Sequence, residues 1–395
     1  MKGSVVVESG ASNWNIRFKH LYVFVMFCLL TSSSVGQQPF VEYSERDSAY
    51  LSRLHTRVRG PLAVEQLRPR GVPRWQLIAR RKLTELLGLD VIARDNRGYQ
   101  SQVRLQDAIA DDGFSRTLGK IETEAGIEIP FWLLIPNGED HPPRPLAVCA
   151  QGHGGNSWNN YAGIYQNAAE REKALARNAT PGLEAVRRGY ITIVPAVRGL
   201  ATVASIADPK GRHGNQLCRA QLVHCLLAGR TAIGERVWDC QKVLDWALTG
   251  LPNVDTKRVL FTGNSGGGVL TVYMAALDER ITVAVPSCSF TSYTDLSGFV
   301  FHCDCCLVPR VQSELGDFSD IGALVVPRYL LAVHGKQDGL HHYPAVEAAM
   351  TRVARVYGLL NQEDKFAHRW GQEGHKFYPD IMWPFIENAF AELHK

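Results

Sequence analysis

The 395-residue sequence contains no apolar run near the ~20 residues that a bilayer-spanning helix needs. Neither sign of charge dominates: 43 Lys and Arg against 39 Asp and Glu leave a formal +4. The basic residues have no aromatic stacking platform among them, which argues against nucleic-acid binding. Glycine (35) and proline (19) stay near background, excluding collagen-like and low-complexity classes. There is no G-x-x-x-x-G-K-[ST] phosphate loop, no acidic residue at dinucleotide-binding spacing, and no paired C-x-x-C or H-x-x-x-H zinc signature. No internal repeat or long linker is visible. What remains is a chain that is 45% hydrophobic, enough to bury a sizeable core and to exclude disorder.

Residues 1–36 read as a secretory signal peptide. Arg17, Lys19 and His20 precede the ten-residue apolar stretch Leu21–Leu30, and Ser34-Val35-Gly36 places small residues before a cut at Gln37. Ten residues are too few to span a bilayer. Cys28 lies within the apolar run after bulky Phe27, unlike a lipobox cysteine. Removing the segment takes away Lys2, Arg17, Lys19 and Glu8, about half of the net charge. The expected location is secreted or periplasmic, with no stable membrane insertion. Eight cysteines stay with the mature chain: Cys149, Cys218, Cys225, Cys240, Cys288, Cys303, Cys305 and Cys306. An even count in an oxidising compartment permits disulfides without fixing their pairing. Cys149 and Cys240 read as buried thiols. The cluster His302-Cys303-Asp304-Cys305-Cys306 has C-x-C-C spacing with no second pair to complete four ligands, so a local structural or disulfide role is expected and no metal.

Residues 37–117 are Arg-rich and amphipathic, with helical spacing over Trp75–Leu87 and a stop at Gly88; they are expected to form a helical N-terminal extension with a solvated basic face. From residue 118 the period changes. Leu118–Glu124 and Ile127–Ile135 read as a hairpin about Ala125-Gly126. Strands follow at Pro145–Cys149, Tyr190–Pro195, Arg258–Thr262, Ile281–Pro286 and Tyr329–His334. Helices are expected at Gly182–Arg188, Glu235–Thr249, Val269–Leu277, Ala345–Tyr357 and Ile381–His394. Short apolar strands alternating with helices predict an α/β protein: a mostly parallel central sheet covered on both faces, forming one domain over 118–395.

Gly263-Asn264-Ser265-Gly266-Gly267 fits G-x-S-x-G between a buried strand and a helix, the context of a nucleophile elbow. The glycines leave room for the tight turn, and the helix N-terminus adds partial positive charge beside a developing oxyanion. A serine nucleophile needs a base oriented by an acid, in the order Ser, Asp, His for this architecture. Asp338 follows strand Tyr329–His334 through Gly335-Lys336-Gln337, and His375 lies in Glu373-Gly374-His375 before the last helix. Asp295, Asp317 and Asp320 are rival acids without a matching strand end. His341 and His342 are too close to Asp338, and His368 is a weaker rival base. The oxyanion donors are expected to be the amide of Gly266 and one from His153 or Gly154 in Gly152-His153-Gly154-Gly155.

These features resemble the α/β-hydrolase superfamily and, within it, the bacterial secreted hydrolases grouped with acetyl xylan esterases and dienelactone-hydrolase-like proteins. The similarity covers roughly 118–395 and rests on Gln151–Gly155, Gly229–Asp239, Gly263–Gly268, His302–Pro309 and Glu373–His375. Such relatives often have Phe-Pro after the acid, where this chain has Gly339-Leu340-His341. They commonly carry Cys-Asn-Tyr-x-Pro, where it has Cys306-Leu307-Val308-Pro309. The resemblance implies a cofactor-independent serine esterase with Ser265, Asp338 and His375 as its triad, acting through an acyl-enzyme on acylated carbohydrate. Alternatives are a prolyl-oligopeptidase-like serine peptidase, which would need a propeller domain that ~80 N-terminal residues cannot supply, and a non-catalytic relative.

Overall fold

The computed structural model describes residues 45–394 apart from 139–141, 204–207, 209, 213–215 and 295–298. Residues 1–36, read above as a signal peptide, and the rival acid Asp295 lie outside the described residues. Residues 43–395 make one compact unit. Ten strands form a single sheet: β1 (Gln102–Leu105), β2 (Ile109–Ala110), β3 (Phe114–Glu124), β4 (Ile127–Pro136), β5 (Arg144–Ala150), β6 (Ile191–Pro195), β7 (Val254–Asn264), β8 (Val283–Ser287), β9 (Tyr329–Gly335) and β10 (Phe366–Gly371). The order is β1-β3-β4-β6-β5-β7-β8-β9-β10, with β2 beside β3. The β1, β3, β4 and β6 pairings are antiparallel and the rest of the path is parallel.

The parallel strands β5, β6, β8 and β9 are almost continuously buried runs of Val, Ile, Leu and Ala, as strands covered on both faces must be, and β7 becomes so from Val259 on. One face packs on helices Ala232–Gly250, Gly266–Leu277 and Tyr343–Leu359, the other on Pro181–Arg187 and Pro379–Leu393. Chain order reverses about β5, whose neighbours are β6 on one side and β7 on the other. A reversal of this kind opens a crevice at the carboxyl ends of the strands, where ligands bind in open α/β sheets. The loops after β5 and after β7 both lead into it.

Two expectations change. The span expected to be a helical extension is helical over Glu45–Arg57, Val72–Leu87 and Leu89–Asp95, but its last part forms β1, β2 and the start of β3. Residues 102–105 alternate too weakly in hydrophobicity to show this; they are edge residues held by pairing with β3. The helix Val72–Leu87 also packs into the compact unit by its apolar face, while Arg74 and Arg81 on its basic face stay exposed. Trp75, Ala79, Leu83 and Leu87 enter the same core as the helix after β7, each large side chain contributing roughly 1.5–3 kcal/mol. Arg80 donates to the carbonyls of Ala276 and Leu324 at 3.0 and 2.9 Å. The helix stops at Gly88, which takes the left-handed conformation at φ 72°.

Candidate functional site

Ser265 stands between β7 and the helix Gly266–Leu277 with φ 58° and ψ −124°, a conformation that costs a non-glycine residue about 1–3 kcal/mol. Its amide donates to the carbonyl of Ser287 at the end of β8 at 3.0 Å. The surrounding glycines are required by close approach. A Cβ at Gly263 would lie 2.5 Å from the Ala150 carbonyl oxygen, and one at Gly267 would collide with the same group. A Cβ at Gly152 would sit 2.6 Å from Asn264 O and 3.1 Å from Ser265 Cβ, so the loop after β5 passes directly over the turn.

Asp338 and His375 come from the loops after β9 and β10. These loops are tied together: Lys336 N–H donates to Gly371 O at 2.8 Å and Gln337 N–H to Glu373 O at 2.9 Å. The Asp338 side chain is buried, and its Oδ2 lies 2.7 Å from His375 Nδ1. Its Oδ1 accepts the Leu340 amide at 3.0 Å. Burial alone would push this carboxyl up, but its contacts with His341 and His375 outweigh burial and hold it well below the usual range. Asp338 is therefore ionised and fixes His375 with Nε2 turned away. Ser265 and His375 line one cavity of about 720 Å³, together with His153, Gly154, Gly266 and His341. A hydroxyl on a strained turn, an imidazole and an ionised carboxylate are the parts of nucleophilic acyl transfer.

In the loop after β5, Gly155 N–H donates to Leu200 O at 3.2 Å and is engaged, leaving the His153 and Gly154 amides as the candidate oxyanion donors. The Gly266 amide lies in the first helical turn, which has no intrahelical acceptor. The Leu200 segment is itself anchored by a buried ionic network that spacing arguments did not single out. Arg198 donates to Asp239 at 2.8 Å and to Glu124 at 2.9 Å, and Arg230 donates to Glu124 at 2.8 Å.

The rival groups have other work. Asp317 and Asp320 form a capping box at the helix Phe318–Ala323, and Asp320 accepts from Arg352. His368 Nε2 meets His334 Nδ1 at 3.2 Å, away from Ser265. His341 does reach Asp338 Oδ2, at 3.6 Å, so nearness in sequence did not exclude it from the site. The cysteine cluster also differs from expectation. The eight cysteines among the described residues are free thiols, and Cys218 and His153 lie beside Cys303 and Cys305. Spacing could not place Cys218 and His153 beside this cluster, because they come from distant segments.

The strand order and the crevice at its reversal are those of an α/β-hydrolase fold. Residues 173–296 match the family model for acetyl xylan esterase, which points within that fold to the carboxylic ester hydrolases. A candidate hydrolase of Bacillus subtilis (strain 168), YtaP, is 28% identical over 176 residues; the aligned region is 42% of this chain and only 55% of that protein's length. Among solved structures, a candidate acetyl xylan esterase from Bacteroides fragilis NCTC 9343 superposes with a TM-score of 0.64 at 18% identity, over 89% of this chain and 86% of that one. A CE15 glucuronoyl esterase from Teredinibacter turnerae T7901 gives 0.55 at 16% identity, over 89% and 100%. An acetyl xylan esterase from Paenibacillus sp. R4 gives 0.52 at 19% identity, over 78% and 94%. Among the described residues no helix is long and apolar enough to cross a membrane.

Proposed function

We propose that the protein is an exported serine esterase that removes acyl groups, acetyl foremost, from carbohydrate. Ser265 Oγ attacks the ester carbonyl, His375 takes its proton and returns it to the leaving alcohol, and Asp338 holds the imidazole and stabilises its charged form. The Gly266 amide and one of the His153 and Gly154 amides receive the oxyanion, each contributing ~3 kcal/mol at the transition state. Water, activated by His375, then hydrolyses the acyl-enzyme. The carrying observation is the strained Ser265 turn in the same cavity as His375, which is bonded to a buried, ionised Asp338. Carbohydrate as substrate rests on the acetyl xylan esterase family match together with the glucuronoyl and acetyl xylan esterases of the same fold. Export rests on the sequence of residues 1–36, and the division into leader, N-terminal region and catalytic domain is proposed with it. The test is acetate release from acetylated xylan, other acetylated sugars and aryl acetates. Turnover of acetylated sugars by the wild type, absent in Ser265→Ala, is expected; cleavage of peptide bonds with no ester turnover would overturn the reading.

A further inference from the structure

Cys303 and Cys305 lie on the segment around the short turn Asp304–Cys306, Cys218 lies in the first turn of the helix Leu217–Leu227, and His153 lies in the loop after β5. The imidazole nitrogen of His153 and the three sulfurs all fall within 4.8 Å of one another. His153 Nε2 is 3.2 Å from Cys305 Sγ, and Cys305 Sγ is 3.7 Å from Cys303 Sγ. Two sulfurs of a disulfide would stand about 2.05 Å apart. Two thiolates on one tetrahedral zinc, each at about 2.3 Å from the metal, stand about 3.8 Å apart. The observed separation is too long for a disulfide and fits two thiolates on a shared metal; Cys306 Sγ stands at a similar 3.8 Å from Cys305 Sγ.

The charge balance of the surroundings supports this. Arg236 is fully buried, and its hydrogen bonds run to Arg198 O, Cys305 O, Cys306 Sγ and Gln221 Oε1, none of them a carboxylate. A buried guanidinium without a nearby negative charge is costly. A divalent metal on three thiolates and a neutral imidazole carries one net negative charge, which the guanidinium neutralises. Asp304 supplies the supporting shell: its Oδ1 accepts the Cys305 amide at 2.8 Å, and its Oδ2 accepts from Arg219 at 2.6 Å.

We propose that His153, Cys218, Cys303 and Cys305 bind one zinc ion as a closed, structural Cys₃His site. Binding displaces three thiol protons to solvent. Four protein ligands leave no position for substrate or water, so the ion does not take part in ester chemistry. It fastens the loop carrying His153 and Gly154 to the helix bearing Cys218 and to the segment 303–306. A Cβ at Gly266 would lie 2.8 Å from His153 Nδ1, so the ligand histidine is packed against the turn bearing Ser265. The metal thus sets the position of a loop that the proposed esterase uses, while its presence is independent of that activity.

The test is metal content of the full chain, purified with reductant and without chelator, by inductively coupled plasma mass spectrometry. About one zinc per chain is expected, falling at least tenfold in Cys218→Ser/Cys303→Ser and retained in Cys149→Ala. Should the double variant fail to fold, the wild-type chain loaded with Co²⁺ gives the second readout: tetrahedral thiolate–cobalt absorption is expected. A reduced, folded wild type that takes up neither Zn²⁺ nor Co²⁺ would overturn the proposal. So would full zinc occupancy in a folded double variant, or a disulfide mapped to Cys303 or Cys305 in the folded protein. None of these readings uses an ester, so failure here is distinct from failure of the esterase assignment.

Discussion

Two groups of side chains meet at the cavity, which Ser265 and His375 line together with His153, Cys218 and Cys303, and they are assembled differently. Ser265, Asp338 and His375 each stand on a loop that directly follows a parallel strand, with glycines beside them where the backbone must turn tightly. His153, Cys218, Cys303 and Cys305 come from three segments, the outermost pair 152 residues apart, and only the fold brings them together. The first group is a set of local motifs in a fixed order. The second is a constellation that no spacing rule can see, because metal-ligand signatures assume that ligands arrive in close pairs. Chemistry that depends on a strained turn leaves a mark in the sequence; chemistry that depends only on four donor atoms converging need not.

The contrast can be broken or sharpened by substitution. Ser265→Ala should lower kcat by on the order of 10⁶-fold on an aryl acetate with unchanged folding, as expected when a nucleophile is removed. If Cys303→Ser cost as much while keeping its zinc, the two groups would not be separable. Asp338→Asn should lower kcat by about 10⁴-fold by leaving the wrong histidine tautomer, measured with the same ester. A much smaller loss would assign part of the orienting role to His341. Arg236→Met should destabilise the fold by about 3–5 kcal/mol in urea unfolding, since it leaves the thiolate cluster with an uncompensated charge. An unchanged midpoint would mean that the thiols are neutral and the cluster carries no ion.

The smallest effect concerns pH. Burial holds His334 neutral, well below its usual range, whereas the unfolded chain takes up a proton near ~6.5. Its folded pKa is depressed, so its contribution is complete above that pH. The contribution is lost as pH falls further, at up to about 1.4 kcal/mol per unit. His334→Phe should flatten the fall in urea-unfolding stability between pH 7 and 5 by up to about one proton's worth. An identical slope would contradict the account of that histidine.

Most of the sheet was legible because buried parallel strands are near-continuous apolar runs; β5, β6, β8 and β9 all lie within two residues of their expected bounds. The last strand was not, because Phe366-Ala367-His368-Arg369-Trp370-Gly371 is a half-exposed edge with polar residues at its centre. Ser265 and Asp338 were argued from strand ends, which survive errors of a residue or two, whereas His375 was placed only by its glycine-bearing loop before the last helix; Ser265 and His375 line one cavity, and His375 meets Asp338. The ionic network of Arg198, Glu124 and Asp239 was invisible for the same reason as the cysteine cluster: its members lie on three separate elements, and only packing reveals that they meet.

The central claim, that Ser265 is the nucleophile of an ester hydrolase, is tested most directly by treating the folded protein with a fluorophosphonate and mapping the adduct by peptide mass spectrometry. One adduct per chain on Ser265 is predicted, together with complete loss of acetate release. An adduct on another residue, or ester turnover that survives in Ser265→Ala, would contradict it.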